Sequence, residues 1–127
     1  IAFSVQDPLP LVVGDPERLY MAIYQILRNA VIYSEREQSV AIHAWGDETD
    51  LYCSVADQGI GISRNEQHLI FDRLWRSNDA RVQAVPGGGL GLTLTRKILF
   101  RHGGDIWSVS ELGEGTQITF VLPAVHA

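Results

Sequence analysis

Asp57 stands just ahead of two glycines, Gly59 and Gly61, in the stretch "ADQGIGIS" at residues 56–63. Leu51, Cys53 and Val55 alternate with other residues before it, so a strand of that parity turns Asp57 toward a core face. A carboxylate there is costly unless it is paired. The residues leave two readings open. Either the strand ends at Ala56 and Asp57 caps the turn, or the carboxylate meets a flat ligand that approaches the backbone of Gly59 and Gly61. An ionised carboxylate only accepts hydrogen bonds. It selects a donor such as the exocyclic amine of adenine and repels the oxygen that guanine presents there. A bond of this kind contributes about 1.5–3 kcal/mol.

Three further groups could do chemistry. Gln25, Asn29 and Tyr33 recur every four residues and form one ridge of a helix. An asparagine oxygen suits Mg, which prefers oxygen ligands, and Tyr33 could lie against a base or sugar. A solvated polar stripe explains the same spacing. In "PGGGLGLTL" at 86–94, Gly87, Gly88, Gly89 and Gly91 precede a helix whose first amides can hold phosphate. No Lys-Ser or Lys-Thr follows, so this is not a P-loop, and no strand precedes it, so the dinucleotide fingerprint fails. A plain flexible turn is the alternative. Arg73 and Arg76 in "IFDRLWR" suit phosphate, whereas the other arginines read as solvated surface. His43, His68, His102 and His126 lack metal-ligand spacing. His102, ahead of two glycines, reads as a helix end cap.

The elements that must position these groups follow from periodicity. Ile1, Phe3 and Val5 suggest a strand, and a proline-rich approach without helix follows. Asp15 then Pro16 is a helix start, and Leu19, Ile23, Ile26, Leu27 and Ala30 give an amphipathic helix over about 16–33. Strands are expected at 39–45 and from 51 into Asp57, joined by the turn "GDETD". A short helix or pair of turns covers "SRNEQHLIFDRLW", and residues 77–91 carry no periodicity and read as a mobile loop. A helix is expected over 92–102, stopped by Gly103 and Gly104, then a hairpin of strands 105–110 and 116–122. Hairpins outnumber parallel crossovers. The fold class is therefore α+β, a two-layer α/β sandwich with a mixed, mostly antiparallel sheet and helices on one face.

The 127 residues, 46% hydrophobic and 20% charged, suit one globular domain with one core. A net charge of −5 argues against a nucleic-acid partner. No apolar run approaches the roughly 20 residues that span a bilayer. The single cysteine, Cys53, excludes an internal disulfide and reads as a core thiol, in keeping with a reducing compartment. The chain opens at a strand without Met, so it is expected to be part of a longer protein.

In order, "GDPERLYMAIYQILRNAVIYS", "VADQGIGIS", "IFDRLWR" and "GGGLGLTLTRKILFRHGGDIWSVSELGEGTQITFVLP" resemble the catalytic ATP-binding domain of bacterial sensor histidine kinases. That domain belongs to the wider group, with a Bergerat-type fold, shared by DNA gyrase, the ninety-kilodalton heat-shock chaperone and the MutL proteins. The resemblance covers nearly the whole chain. It implies that Asn29 helps hold Mg, with Gln25 beside it in the catalytic helix, and that Tyr33 borders the nucleotide. It implies that Asp57 reads adenine in a pocket shaped by Gly59 and Gly61, that Phe71 belongs to the phenylalanine box, and that Arg73 faces phosphate. Gly87, Gly89, Leu90 and Gly91 match the second glycine box, residues 77–91 the ATP lid, and Thr116 in "GEGT" the element that supports the adenine pocket. The sequence departs from the family pattern at Gln25, where an asparagine is usual, at Ile32, where a lysine is usual, and at Gln58, where an asparagine is common.

The resemblance implies the cofactors ATP and Mg and transfer of the γ-phosphoryl to a histidine of a separate dimerisation domain, with a response regulator downstream. None of the four histidines stands in an acceptor motif, so acceptor and sensor domains are expected elsewhere in the parent. The piece itself is expected to be monomeric and cytoplasmic, whether or not the parent is membrane-anchored. Gln25 and Ile32 keep a second reading open, a degenerate nucleotide-binding or interaction module with little phosphotransfer. A stand-alone serine kinase of the anti-sigma type is a third. The strand at the start and the approach "DPLPLVVGDPERL" speak against it.

Overall fold

The computed structural model describes residues 2–33, 40–57, 92–111 and 115–125, without the side chains of residues 32, 33, 110 and 111. The first helix, α1, runs over Pro16–Tyr33. Asp15 starts it: its Oδ1 accepts from the amides of Glu17 at 3.0 Å and Arg18 at 3.3 Å. Pro16 has no amide hydrogen to satisfy at the first helical position. Ala22, Ile26 and Ala30 are buried along one face of α1, with Leu19, Ile23 and Leu27 packed beside them. The second helix, α2, spans Thr93–Arg101 and buries Thr95, Ile98 and Leu99. It ends in a two-bond cap: Gly103 N–H donates to Phe100 O at 3.0 Å and Gly104 N–H to Leu99 O at 2.8 Å. Gly103 adopts φ 81°, the left-handed conformation this cap requires and glycine supplies without strain.

Five strands form one sheet: β1 (Ala2–Val5), β2 (Ala41–Gly46), β3 (Asp50–Ala56), β4 (Asp105–Glu111) and β5 (Gly115–Pro123). Their order across the sheet is β1-β2-β3-β5-β4. β1 pairs parallel with β2 and the remaining neighbours are antiparallel, the mixed pattern expected from the hairpins. The strand expected over 39–45 is found two residues on at its start and one at its end, and both strands of the last hairpin extend further than expected. Hydrophobic alternation marks which residues are covered, whereas pairing with a neighbour sets how far the ladder continues.

The helices pack against each other and cover one face of the sheet, which gives the two-layer sandwich. Register explains the core. Ile42 lies opposite Val55, Val55 opposite Ile118, and Phe120 opposite both Cys53 and Ile106. These residues meet Ile26 and Ala30 of α1, Leu99 of α2 and Leu92 just before it. The other face mixes aromatic and polar residues with Val109 and Val121. His43, Trp45 and Tyr52 form a run of rings, with Trp45 and Tyr52 stacked at 5.5 Å and 11°. Ser54 and Thr119, paired on that face, are nonetheless buried.

Candidate functional site

The two central strands hold Asp57. The β3–β5 ladder pairs Ala56 with Gln117, and one step further Asp57 N–H donates to Thr116 O at 2.8 Å. Thr116 N–H in turn donates to Asp57 Oδ1 at 3.3 Å. The carboxylate therefore shares one strand end with a buried threonine, in an orientation set by main chain. Gly115 begins β5 at φ 105°, a conformation other residues rarely adopt. Asp57 follows the parity of Cys53 and Val55, both of which pack into the helix-side core. The two residues that the motifs separate by nearly half the chain, Asp57 and Thr116, are thus brought together.

Asn29 is 1% exposed, so the solvated-stripe reading of the α1 ridge fails at its centre. It follows Ile26 and precedes Ala30 on the buried face of α1. Gln25 Nε2 donates to Asn29 Oδ1 at 3.3 Å, one turn apart, and Asn29 Nδ2 is buried without a hydrogen-bond partner among the described residues. A buried amide left half satisfied is destabilising by about 1–3 kcal/mol. Turning both amides over exchanges their oxygens and nitrogens. Asn29 Nδ2 then donates to Gln25, and Asn29 Oδ1 takes the unpartnered position. An amide oxygen there suits a hard cation with oxygen ligands, so the residues present fit the Mg implied by the family resemblance.

α2 starts at the end of the glycine-rich stretch. Its cap residue is Leu92, 1% exposed, whose side chain cannot bond an amide, and among the described residues no side chain caps the helix. Tyr33 forms the last residue of α1. Gly59, Gly61, Phe71, Arg73, Gly87, Gly89, Leu90, Gly91 and the segment 77–91 lie outside the described residues. Among the described residues no group of three or more histidines, cysteines and carboxylates could hold a metal.

One connection escaped sequence reasoning. His102 does end α2, with Nδ1 at 2.8 Å from Ile98 O, but its Nε2 also accepts from Asp15 N–H at 3.0 Å. The two residues are 87 positions apart. No local spacing announces such a pair.

Residues 14–126 match the family of histidine kinase-, DNA gyrase B- and HSP90-like ATPases, and the chain belongs to that family. The sensor histidine kinase WalK of Bacillus subtilis (strain 168) is 40% identical over 111 residues, covering 86% of this chain and 18% of that protein. Among solved structures, the mycobacterial sensor histidine kinase MprB superposes with a TM-score of 0.78 at 30% identity, over 99% of this chain and 85% of that one. Full-length ShkA in complex with AMPPNP gives 0.75 at 28% identity, over 99% of this chain and 26% of that one. The chain is a catalytic ATP-binding domain of the sensor kinase type, and it spans less than a fifth of the length of WalK.

Proposed function

We propose that this domain binds Mg–ATP and, within a longer sensor kinase, presents the γ-phosphoryl group to a histidine on a separate dimerisation domain, with a response regulator as the next acceptor. The observation that carries the reading is Asp57, an acceptor-only carboxylate held in orientation by Thr116 at the end of the two central strands. Adenine offers the donor such a group selects. Asn29 would contribute the cation's protein oxygen, with Gln25 holding the amide plane. Mg, when bound, neutralises charge on the phosphates. The start of α2, which follows the glycines in sequence, supports a place for phosphate oxygens. The residues named here bind and orient. The attacking imidazole nitrogen and the base that takes its proton belong to the acceptor domain. As the new P–N bond forms, the bond from the γ-phosphorus to the bridging oxygen breaks and ADP leaves.

The test is calorimetric titration with AMPPNP and Mg, beside GTP and the Asp57→Asn variant. We expect binding selective for adenine that Asp57→Asn weakens about tenfold or more, since it removes a charged acceptor. Equal binding of GTP, or an unaffected variant, would overturn the assignment of Asp57.

One observation favours the degenerate-module reading. With the amides not turned over, Gln25 Nε2 donates to Asn29 Oδ1 and so takes the oxygen a cation needs. Nucleotide binding indifferent to Mg, with no transfer to a supplied acceptor domain, would establish that alternative.

A further inference from the structure

We infer that His102 is a positioning residue that ties the start of α1 to the end of α2 through a neutral imidazole protonated on Nδ1, and so sets the nucleotide site at the opposite end of the helix pair. The inference rests on the nucleotide reading above. The tautomer follows from the partners. A backbone amide can only donate, so Nε2, 3.0 Å from Asp15 N, must carry a lone pair. A carbonyl can only accept, so Nδ1, 2.8 Å from Ile98 O, must carry the proton.

The space around the ring is equally specific. A Cβ on Gly14 would stand 2.5 Å from His102 Cδ2 and 2.8 Å from both His102 Nε2 and Leu19 Cδ1. Glycine at 14 is what lets the ring reach Asp15. The charged groups nearby are Asp15, ion-paired to Arg18 at 3.7 Å, and Arg18, Lys97 and Arg101, which line a cleft of about 260 Å³ with His102. Among the described residues, none of these charged side chains makes either ring bond; both come from main chain.

The helices are antiparallel. Arg18 lies near Lys97 and Arg101, whereas Tyr24 and Gln25 share a second cleft with Leu94 and Thr95. The staple therefore sits where α1 begins and α2 ends. Asn29 and the glycine-adjacent start of α2 sit at the other end. From Asp15 to Asn29 is about 21 Å along the helix at about 1.5 Å per residue. A tilt of about 3° at the staple moves Asn29 by about 1 Å, an error large enough to matter at a site that works by placement.

The experiment uses the 127-residue chain. Long-range ¹H–¹⁵N correlation spectra of the neutral ring should show Nδ1 protonated and Nε2 bare. AMPPNP affinity, measured with Mg well below the melting temperature, should fall about tenfold in His102→Phe and in Gly14→Ala. His102→Gln, which keeps a donor and an acceptor, should stay within about threefold of wild type. An Nε2-protonated ring overturns the inference whatever the affinities. So does a His102→Phe protein that melts lower but, while folded, binds as tightly as wild type, because that is how a purely structural residue behaves. Failure of the wild type to bind AMPPNP overturns the nucleotide reading and the positioning role with it. The tautomer signal, measured without nucleotide, then shows whether the staple itself survives.

Discussion

Replacing Asn29 with leucine separates what the core favours at this position from what a nucleotide site requires. Leucine has the same branched heavy-atom skeleton and no polar atom. In the nucleotide-free domain the change removes a buried donor without a partner, worth about 1–3 kcal/mol. Added apolar burial contributes about 1 kcal/mol more. Against these stand the Gln25–Asn29 bond, long at 3.3 Å and worth about 0.5–1 kcal/mol, and crowding by the larger methyl groups, about 1 kcal/mol. The balance is a gain of about 1 kcal/mol, a rise in melting temperature of about 3–5 °C for a domain of this size. Mg–AMPPNP binding should move the other way. It should weaken at least about tenfold and lose its sensitivity to EDTA if, as proposed, Asn29 supplies the cation's protein oxygen. Urea unfolding without nucleotide and calorimetry with Mg or EDTA measure both sides. A variant destabilised by more than about 1 kcal/mol would refute the reasoning, since the amide would then contribute net stability. A variant that kept Mg-dependent binding would remove Asn29 from the site.

Two predictions concern the fold beneath the site. At Gly104 an added Cβ would run into the Val121 carbonyl and approach Leu122 to 3.0 Å, so Gly104→Ala should cost about 2 kcal/mol. Gly103→Ala meets only the Pro123 ring at 3.2 Å and pays for its left-handed φ, about 1 kcal/mol. Denaturant unfolding should rank them in that order, and the reverse order would mean that the α2 cap, not the approach to β5, dominates. Burial pushes the Cys53 thiol up to about 11. Its folded value is raised, so its stability contribution is complete below the unfolded thiol's pKa, about 8.5. That contribution is lost as pH rises from there through about 11. Melting curves should fall across that window in the wild type and less in Cys53→Ala. Iodoacetamide at about pH 8 should alkylate the folded domain at least about a hundredfold more slowly than a free thiol, given its small thiolate fraction.

Much of this protein is legible in one dimension because the signals are local. Asp15 and Pro16 start α1 where the sequence places a cap and an imino acid, and Gly103 and Gly104 end α2 by a conformation only glycine adopts cheaply. Alternation at Leu51, Cys53 and Val55 is enough to set the face that carries Asp57. The spacing of Gln25 and Asn29 is enough to make them neighbours on one helix.

Tertiary structure decided the rest. Periodicity could not tell whether the α1 ridge faced solvent or core. That depends on which surface of α1 the sheet and α2 cover, and the answer is an asparagine at 1% exposure with an unpartnered nitrogen. Nor could it bring Thr116 to Asp57, because that pairing comes from β5 inserting between β3 and β4. The imidazole of His102 is the extreme case. Its tautomer is set by two main-chain groups, one a helical turn away in sequence and the other 87 residues away. A residue's type supplies the donors and acceptors it can offer. Only the packed chain decides which partners exclude water long enough to fix the proton.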